Sequence, residues 1–192
     1  MMKLKPNLTK TSILKVSAEL FKNQSYSQVS MRDIAKKLNV KAASLYNHIA
    51  SKDEILETLI FDLVNTFMSS IKTTSEKQIS TQSKLDEIIQ SHIDIAIKTP
   101  NQYAVLNNDW IFLKPEQKNL FLEQRQHYEN TLKSIVQKGI DNQELKACHP
   151  EVIIYMMLSS LRTLHLWYER KAINRDDLKA EIPKLILQGI IK

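Results

Sequence analysis

The sequence has 192 residues, of which 43% are hydrophobic and 25% charged, and its formal net charge is +6. It contains only two glycines, five prolines and one cysteine, so turn residues are too few for a fold of many strands, and an intramolecular disulfide is excluded. The longest apolar run, residues 152–158, is too short to cross a bilayer, and the lysine-containing N-terminus lacks the apolar core of a secretion signal. We therefore expect an all-α protein located in the cytoplasm.

The positive charge is concentrated near the N-terminus. Residues 1–50 contain nine Lys or Arg and two acidic residues, a net charge of +7, whereas the remaining residues contain 18 and 19. A basic fragment of this kind is expected where a protein meets phosphate groups, although a solvated lysine-rich face has the same composition. Residues 1–8 are expected to form a frayed arm, in which Lys3 and Lys5 add weak attraction to phosphate.

The first elements predicted are a helix from Thr9 to about Asn23 and a second, short helix that begins after Ser30. Asp33 follows Ser30 by three residues, which is the pattern of a helix N-terminus. Asn39 then tolerates the left-handed backbone that a sharp turn between two helices requires. This stretch therefore predicts the first half of a helix-turn-helix.

The next helix, predicted from about Lys41 to Ile49, carries a candidate DNA-contacting surface. Leu45 and Ile49 are four residues apart and are expected to face inward. The other positions hold small residues that allow close approach to bases and polar residues that bind bases or phosphates, as a helix in the major groove requires. Base edges or neighbouring phosphates are assigned to Lys41, Ala42, Ala43, Ser44 and Asn47. Phosphates are assigned to Arg32, Tyr46, His48 and Lys52. The alternatives are packing for Tyr46 and a plain surface histidine for His48.

A fourth helix of roughly 22 residues is predicted from about residue 51 to residue 72. Ser51 and Glu54 form a capping-box pattern at its start. Lys52 is unfavourable at a helix N-terminus, which indicates that a negative group, such as a DNA phosphate, offsets its charge.

The rest of the chain predicts further helices. Residues 72–82 are polar and are expected to form a flexible connector. Helices are then predicted over residues 83–98, from Pro115 to about residue 140, from Pro150 to about residue 170 and from 174 to about 190, with a short aromatic segment over 101–113. Pro183 is expected to bend the last helix or to divide it into two pieces.

Several of these segments together resemble the helix-turn-helix of the TetR family of transcriptional regulators. The similar segments are residues 13–21 (ILKVSAELF), 34–35 (IA), 45–49 (LYNHI) and 51–56 (SKDEIL). Ser25, Asn39 and Ile49 depart from the pattern, since the family usually has glycine, glycine and phenylalanine there. The resemblance supports the DNA-contacting assignments of Tyr46, His48 and Lys52 most directly.

The resemblance also implies a domain organisation and a set of partners. It implies a DNA-binding domain over residues 1–52 and a larger helical domain for ligand binding and dimerisation over residues 53–192, connected by the helix over residues 51–72. Such a protein would be a homodimer, formed by its last two helices, on a pseudo-palindromic operator. The C-terminal part is similar to that of family members that respond to acyl-CoA or other hydrophobic molecules, so a repressor released by such a ligand is expected.

Candidate ligand-binding residues are aromatic, methionine or polar side chains in the second region. They are Tyr103, Trp110, Phe121, Tyr128, Met156, Arg162 and His165. For the apolar members, plain core packing is the alternative. Arg162 and His165 lie in an apolar helix and need partners, which could be a ligand carboxylate or thioester, or acidic residues across a subunit interface.

Motifs of catalysis, metal binding or cofactor binding are missing from the sequence. There is no glycine-rich phosphate loop and no His-Glu-x-x-His or Cys-x-x-Cys pattern, and the five histidines are scattered. We therefore expect no enzyme activity, no metal and no cofactor. The alternatives are a DNA-binding dimer without an inducer and, from a different class, a helical enzyme or small-molecule carrier.

Overall fold

The computed structural model describes residues 8–171 and 173–192. The arm predicted over residues 1–8 thus lies, apart from Leu8, outside the described residues. The described part of the chain forms ten α-helices, which confirms the all-α prediction. They are α1 (Lys10–Gln24), α2 (Met31–Lys37), α3 (Ala42–Leu45), α4 (Lys52–Glu76), α5 (Thr81–Lys98), α6 (Pro100–Asn108), α7 (Pro115–Asp141), α8 (Pro150–Arg162), α9 (Leu164–Lys171) and α10 (Arg175–Gln188).

The chain packs as two compact units. The first unit comprises the residues up to Leu63 together with Asn101–Phe121, and the second comprises Val64–Pro100 and Leu122–Lys192. Helices α4 and α7 therefore contribute residues to both units. The predicted functional boundary between residues 52 and 53 stays a prediction, because a division by packing does not test it.

Side-chain caps begin the first two helices. The Thr9 hydroxyl accepts a hydrogen bond from the Ser12 amide at 3.1 Å, and Ser30 and Asp33 form a capping box at the start of α2. A cap of this kind stabilises a helix by about 1 kcal/mol. The fully buried side chains of Ile13 and Ile34 then place both helices in the core of the first unit.

A tight turn separates α2 from α3. Asn39 has a φ of 56°, as its tolerance of the left-handed region predicts. The prediction of a helix from Lys41 to Ile49 is wrong in length, because the regular part ends at Leu45. The His48 amide donates to the Leu45 carbonyl at 2.9 Å, three residues back, so the chain leaves α3 through a tighter turn than an α-helix would form.

The connector between α4 and α5 is shorter than the sequence predicts. A flexible segment over residues 72–82 is the expectation, but only residues 77–80 separate the two helices. The buried Thr74 hydroxyl donates to Glu87 at 3.1 Å, and Lys77 forms an ion pair with the same carboxylate at 2.7 Å. These contacts with α5 order polar residues that their composition alone assigns to a loop.

The C-terminal helices differ from the prediction at two places. The single helix expected from Pro150 to about Arg170 is interrupted at Thr163, which separates α8 from α9. The Thr163 hydroxyl donates to the Ser160 carbonyl at 3.2 Å, a local bond of the kind that competes with helical hydrogen bonding. Conversely, α10 runs through the buried Pro183 as one element. Of the two outcomes expected of Pro183, a bend or a division into two pieces, the division does not occur.

In the second unit, α7 approaches the start of α5 closely at Gly139. A Cβ atom at position 139 would lie 2.5 Å from the Thr81 Cγ2 atom and 3.0 Å from the Leu145 Cδ1 atom. The Glu144 carboxylate accepts from the Thr81 amide at 2.6 Å, which anchors the first turn of α5. The absence of a side chain at Gly139 therefore permits the close approach of α7 to Thr81.

Candidate nucleic-acid interface

The residues predicted to touch DNA lie on and around the short helix α3. Leu45 and Ile49 are buried and hold this helix against the rest of the first unit. The side chains of Arg32, Lys41, Ala43, Tyr46, Asn47 and His48 are exposed, and those of Ala42 and Ser44 are half-buried. We call these eight residues the recognition surface. Tyr46 leaves 54% of its surface exposed, which disfavours the alternative that it is a packing residue.

Lys52, the ninth predicted contact, is half-buried and bonds to backbone carbonyls of the first unit. Its ammonium group donates to the carbonyl oxygens of Tyr26 at 2.9 Å and Val29 at 2.8 Å. It also lies 4.1 Å from the centre of the Tyr26 ring, within the range of a cation–π interaction. These contacts offset the unfavourable position of Lys52 at the N-terminus of α4, so a phosphate is not required for that purpose.

The start of α4 is fixed by two further residues. The Ser51 hydroxyl accepts from the Glu54 amide at 3.1 Å, and the Glu54 carboxylate accepts from the Ala50 amide at 2.7 Å. Glu54 also pairs with Lys10 at 2.7 Å. The hydrogen bonds from Lys10 and from the Ala50 amide hold the pKa of Glu54 below its ordinary value. The carboxylate therefore stays ionised and joins α1 to α4.

Tyr26 lies at the centre of a polar cluster in the first unit. Its hydroxyl donates to Asp53, and Asp53 forms an ion pair with Lys114 at 3.1 Å. Burial and the neighbouring Asp53 raise the pKa of Tyr26 well above its ordinary value, and the hydrogen bond from Tyr26 lowers the pKa of Asp53. At neutral pH the cluster thus holds a neutral phenol beside a carboxylate.

Asp109, which the sequence reasoning missed, joins the segment after α6 to the segment after α1. It is only 2% exposed, and its Oδ1 atom accepts from the Ser25 hydroxyl at 3.0 Å and from the Tyr26 amide at 3.2 Å. Burial raises the pKa of Asp109 above its ordinary value, although both hydrogen bonds oppose this. The sequence signal was a single acid within an apolar and aromatic segment, together with serine at position 25 where the family usually has glycine.

Three of the predicted ligand residues lie in the first unit. Tyr103 is almost completely buried. The rings of Trp110 and Phe121 stack with their centres 5.3 Å apart, and the Lys118 ammonium lies 5.4 Å from the Trp110 ring. These contacts show how the three side chains pack within the first unit, and they leave the ligand role as a prediction.

The other four predicted ligand residues lie in the second unit. The Tyr128 hydroxyl lies 2.8 Å from the His92 Nε2 atom, and His165 is buried. Arg162 is 3.4 Å from the Glu129 carboxylate, the acidic partner that the sequence does not identify. Met156 is 69% exposed, so it does not line an enclosed cavity of one subunit.

The interior of the second unit holds His92 in its neutral form. Burial, and then the positive charge of Arg162, lower the pKa of His92 to about 3. Its ring packs against Phe67 with the two ring centres 4.5 Å apart. The buried His92 imidazole is therefore an uncharged polar group that pairs with the half-buried Tyr128 hydroxyl.

An open cleft of about 610 Å³ lies in the second unit beside the connector between α4 and α5. Its lining is mainly polar and includes Lys84, His127, Lys138 and Glu144. None of the seven predicted ligand residues lines this cleft.

Helices α8 and α10 leave large apolar side chains exposed. Val152, Tyr155 and Met156 are 54%, 50% and 69% exposed, and their spacing of three and four residues places them on one face of α8. On α10, Leu185 is 71% exposed. Apolar groups in such a row are unusual on a free monomer surface and are typical of a protein–protein interface.

Comparison with known proteins identifies the family. Residues 13–59 match the model of bacterial regulatory proteins of the tetR family, and residues 78–190 match the model of the tetracyclin repressor-like C-terminal domain. The second match alone covers more than half of the chain, and the protein belongs to the TetR family of bacterial regulatory proteins. The family resemblance drawn from the sequence is thereby confirmed. No helix within the described residues combines the length and hydropathy that a membrane span requires.

Individual relatives are distant in sequence. The nucleoid occlusion factor SlmA of Haemophilus influenzae is 26% identical over 98 residues, which cover 51% of this chain and 45% of that protein. This chain thus spans about half the length of the curated relatives it matches first. The ketosteroid transcriptional regulator KstR2 of Mycobacterium tuberculosis has the same fold, with a TM-score of 0.88 at 14% identity over 99% of this chain and 100% of that one. AibR in complex with isovaleryl coenzyme A and operator DNA gives a TM-score of 0.78 at 15% identity over 91% and 96%.

Proposed function

We propose that this protein is a transcriptional repressor that binds a pseudo-palindromic operator as a homodimer and is released by a hydrophobic or acyl-type ligand. The observation that carries the DNA-binding part is the recognition surface. Exposed Lys41, Tyr46, Asn47 and His48 flank the short helix α3, which is held to the first unit by the buried Leu45. The net charge of +7 within residues 1–50 supplies the attraction to phosphate.

The residues of the recognition surface have separate tasks in this proposal. Asn47 offers an amide that can donate to and accept from one base, and Ala43 allows the helix to approach the groove floor. Arg32, Tyr46 and His48 bind phosphates and set the register of the protein on the duplex. Lys52 holds the segment before α2 through the Tyr26 and Val29 carbonyls, and its predicted phosphate contact is then a second task.

The proposed dimer uses the exposed apolar residues of α8 and α10. A second copy of the chain presents the same residues, so pairing removes Tyr155, Met156 and Leu185 from water on both sides. In such a dimer the two recognition surfaces would occupy successive major grooves, roughly 34–36 Å apart along the operator.

The ligand part of the proposal rests on the interior of the second unit and on the fold. Tyr128 and Arg162 offer a hydroxyl and a cation beside apolar side chains, a combination that suits a molecule with an acyl chain and a polar end. AibR, which has this fold, binds isovaleryl coenzyme A and operator DNA. A dimerisation domain without an inducer is the second candidate, favoured by the exposure of Met156.

The test of DNA binding compares promoter DNA with random-sequence DNA at two salt concentrations. The parent protein is expected to prefer its own promoter. Lys41→Ala should weaken binding and reduce the dependence of log affinity on log salt by about 1 for a single phosphate contact. Lys138→Ala, which removes an exposed lysine in the second unit, is the matched control and should leave both values unchanged. Absence of DNA binding at low salt would reject the proposed function.

The ligand is tested by adding isovaleryl-CoA, longer acyl-CoA thioesters or the free acids to the promoter complex. An effector must lower DNA affinity, and by linkage the promoter must lower the affinity for the effector by the same factor. Equal ligand affinity with and without promoter DNA would favour the second candidate. Replacement of Arg162 by Met should weaken binding of acyl ligands without affecting DNA affinity in their absence.

A further inference from the structure

The turn after α1 has a backbone conformation that serine rarely adopts. Ser25 ends the helix with φ 66° and ψ 148°, a region that is open almost only to glycine because a Cβ atom clashes there. Its amide still donates to the Phe21 carbonyl at 2.7 Å, so the conformation is a defined helix end. Something outside α1 must stabilise a serine in this conformation.

Asp109 supplies that stabilisation from a distant part of the sequence. The same oxygen, Oδ1, accepts from the Ser25 hydroxyl at 3.0 Å and from the Tyr26 amide at 3.2 Å. The Ser25 side chain, which glycine would lack, is thus itself part of the contact. Asp109 is only 2% exposed, so its carboxylate is shielded from water and depends on these two donors.

The residues that follow Asp109 contact Tyr26 and its neighbour as well. The Phe112 ring lies 5.6 Å from the Tyr26 ring, and Lys114 pairs with Asp53, which accepts from the Tyr26 hydroxyl. Tyr26 is therefore held at its amide, its ring and its hydroxyl. Its carbonyl is held by Lys52, which also binds the carbonyl of Val29, the residue before the Ser30 cap of α2.

We propose that Asp109 is a positioning residue for DNA recognition, which fixes the Ser25–Tyr26 turn and thereby the place where α2 and α3 begin. It acts through Ser25 and Tyr26 and does not touch DNA. The inference rests on the proposed function, since it assigns a residue 84 positions after Ser25 to the same DNA-binding surface. In this chain serine replaces glycine at the turn, and the Asp109 carboxylate compensates for the unfavourable backbone.

A double-mutant cycle tests this coupling. Asp109→Ala is expected to lower promoter affinity about five- to tenfold, whereas Ser25→Gly should change it less than twofold. In the Ser25→Gly background, Asp109→Ala should lower the logarithm of promoter affinity by less than half as much as it does in the parent. The reason is that glycine adopts this backbone conformation without support. Asp109→Asn keeps an oxygen acceptor at the same place and should bind promoter DNA within twofold of the parent.

The direction of the change in DNA affinity distinguishes a positioning role of Asp109 from a simple effect of its charge. Removal of an acid from a DNA-binding protein normally strengthens binding, because repulsion of phosphate is reduced. Glu116→Ala, which removes an exposed acid from the first unit, is the matched control and should leave affinity unchanged or slightly higher. Amide hydrogen exchange should become faster at Tyr26 and in α2 in Asp109→Ala but not in Asp109→Asn.

Equal losses from Asp109→Ala in the parent and in the Ser25→Gly background would overturn the inference, as would an Asp109→Asn protein that binds as poorly as Asp109→Ala. If Asp109→Ala does not fold, Asp109→Asn and the double variant decide the question, and parent-like binding by both upholds the inference. A parent protein that binds no DNA rejects the proposed function itself. A parent that binds while the cycle shows no coupling rejects only the role of Asp109.

Discussion

The recognition surface and the exposed face of α8 differ in the chemistry that they offer a partner. The first presents Lys41, Tyr46, Asn47 and His48, exposed polar side chains that we propose to contact phosphates and bases. The second presents Val152, Tyr155 and Met156, whose burial releases water and depends little on salt. Exposure alone therefore does not define a functional surface. The kind of group exposed predicts the partner, nucleic acid in one case and a second copy of the chain in the other.

The largest effect is expected at the apolar face. Met156→Asp would place a charge where the proposed dimer excludes water. Because burial of an unpaired charge costs several kcal/mol, the dissociation constant of the dimer should rise about a hundredfold relative to the parent. Analytical ultracentrifugation measures the dissociation constant. Ser134→Asp, at an exposed position on α7, is the control. An unchanged dimer would show that this face of α8 is not the interface.

A smaller effect is expected from Lys52, whose ammonium group donates to backbone carbonyls of the first unit. Lys52→Met keeps most of the side-chain length but removes the charge and both hydrogen bonds to carbonyls. The free energy of unfolding should fall by about 1–3 kcal/mol, because two partly buried carbonyls lose a charged donor. Urea denaturation checks this. A variant as stable as the parent but with a weaker salt dependence of DNA binding would instead assign Lys52 mainly to phosphate.

Asn47→Ala should change the sequence preference of DNA binding without changing dimerisation or the free energy of unfolding. Asn47 is exposed, so stability and dimerisation should not change, whereas preference for promoter over random DNA should fall by about tenfold, the lower range for loss of one base contact. Competition binding with the two DNAs measures the ratio. A uniform loss on both DNAs would reassign Asn47 to phosphate.

His92 in the second unit is expected to contribute to the pH dependence of stability. His92 has a pKa of about 3 when folded and about 6.5 when unfolded, so the unfolded state binds more protons between these values. Stability from this group is complete above pH 6.5 and falls with pH down to about 3, by up to about 1.4 kcal/mol per unit. His92→Asn should show a shallower decline in urea denaturation between pH 6.5 and 4.5. Parallel curves would show that His92 is not the responsible group.

Local sequence patterns predicted the first unit well because its signals are strong and close together. The caps at Ser30 and Ser51 and the left-handed Asn39 each involve residues a few positions apart. The contribution of residues 101–121 to this unit was not predictable in the same way. Asp109 and Lys114 reach partners dozens of positions away, and no local pattern encodes that distance.

One error in the second unit has the same cause. Thr74 and Lys77 are ordered by contacts with Glu87 in the next helix. Local composition does not show this partner and therefore predicts a loop. At Thr163, where α8 ends, the hydroxyl donates to the Ser160 carbonyl. The same kind of bond at Thr58 and Thr131 lies within unbroken helices, so a threonine in a helical segment does not by itself predict a break. The candidate ligand residues could be proposed from residue type, but the sequence does not show that three of them lie in the first unit and four in the second.

Gly139 sets a limit on how this sequence can drift. Since even one added carbon would meet Thr81 at 2.5 Å, alanine at position 139 would raise helix propensity and still force α5 and α7 apart. A larger residue there is accommodated only if both Thr81 and Leu145, whose Cδ1 atom would lie 3.0 Å away, move or become smaller, so substitutions at these three positions depend on one another. Gly189, which has only the Ile186 carbonyl 3.9 Å away, places no such condition on its neighbours.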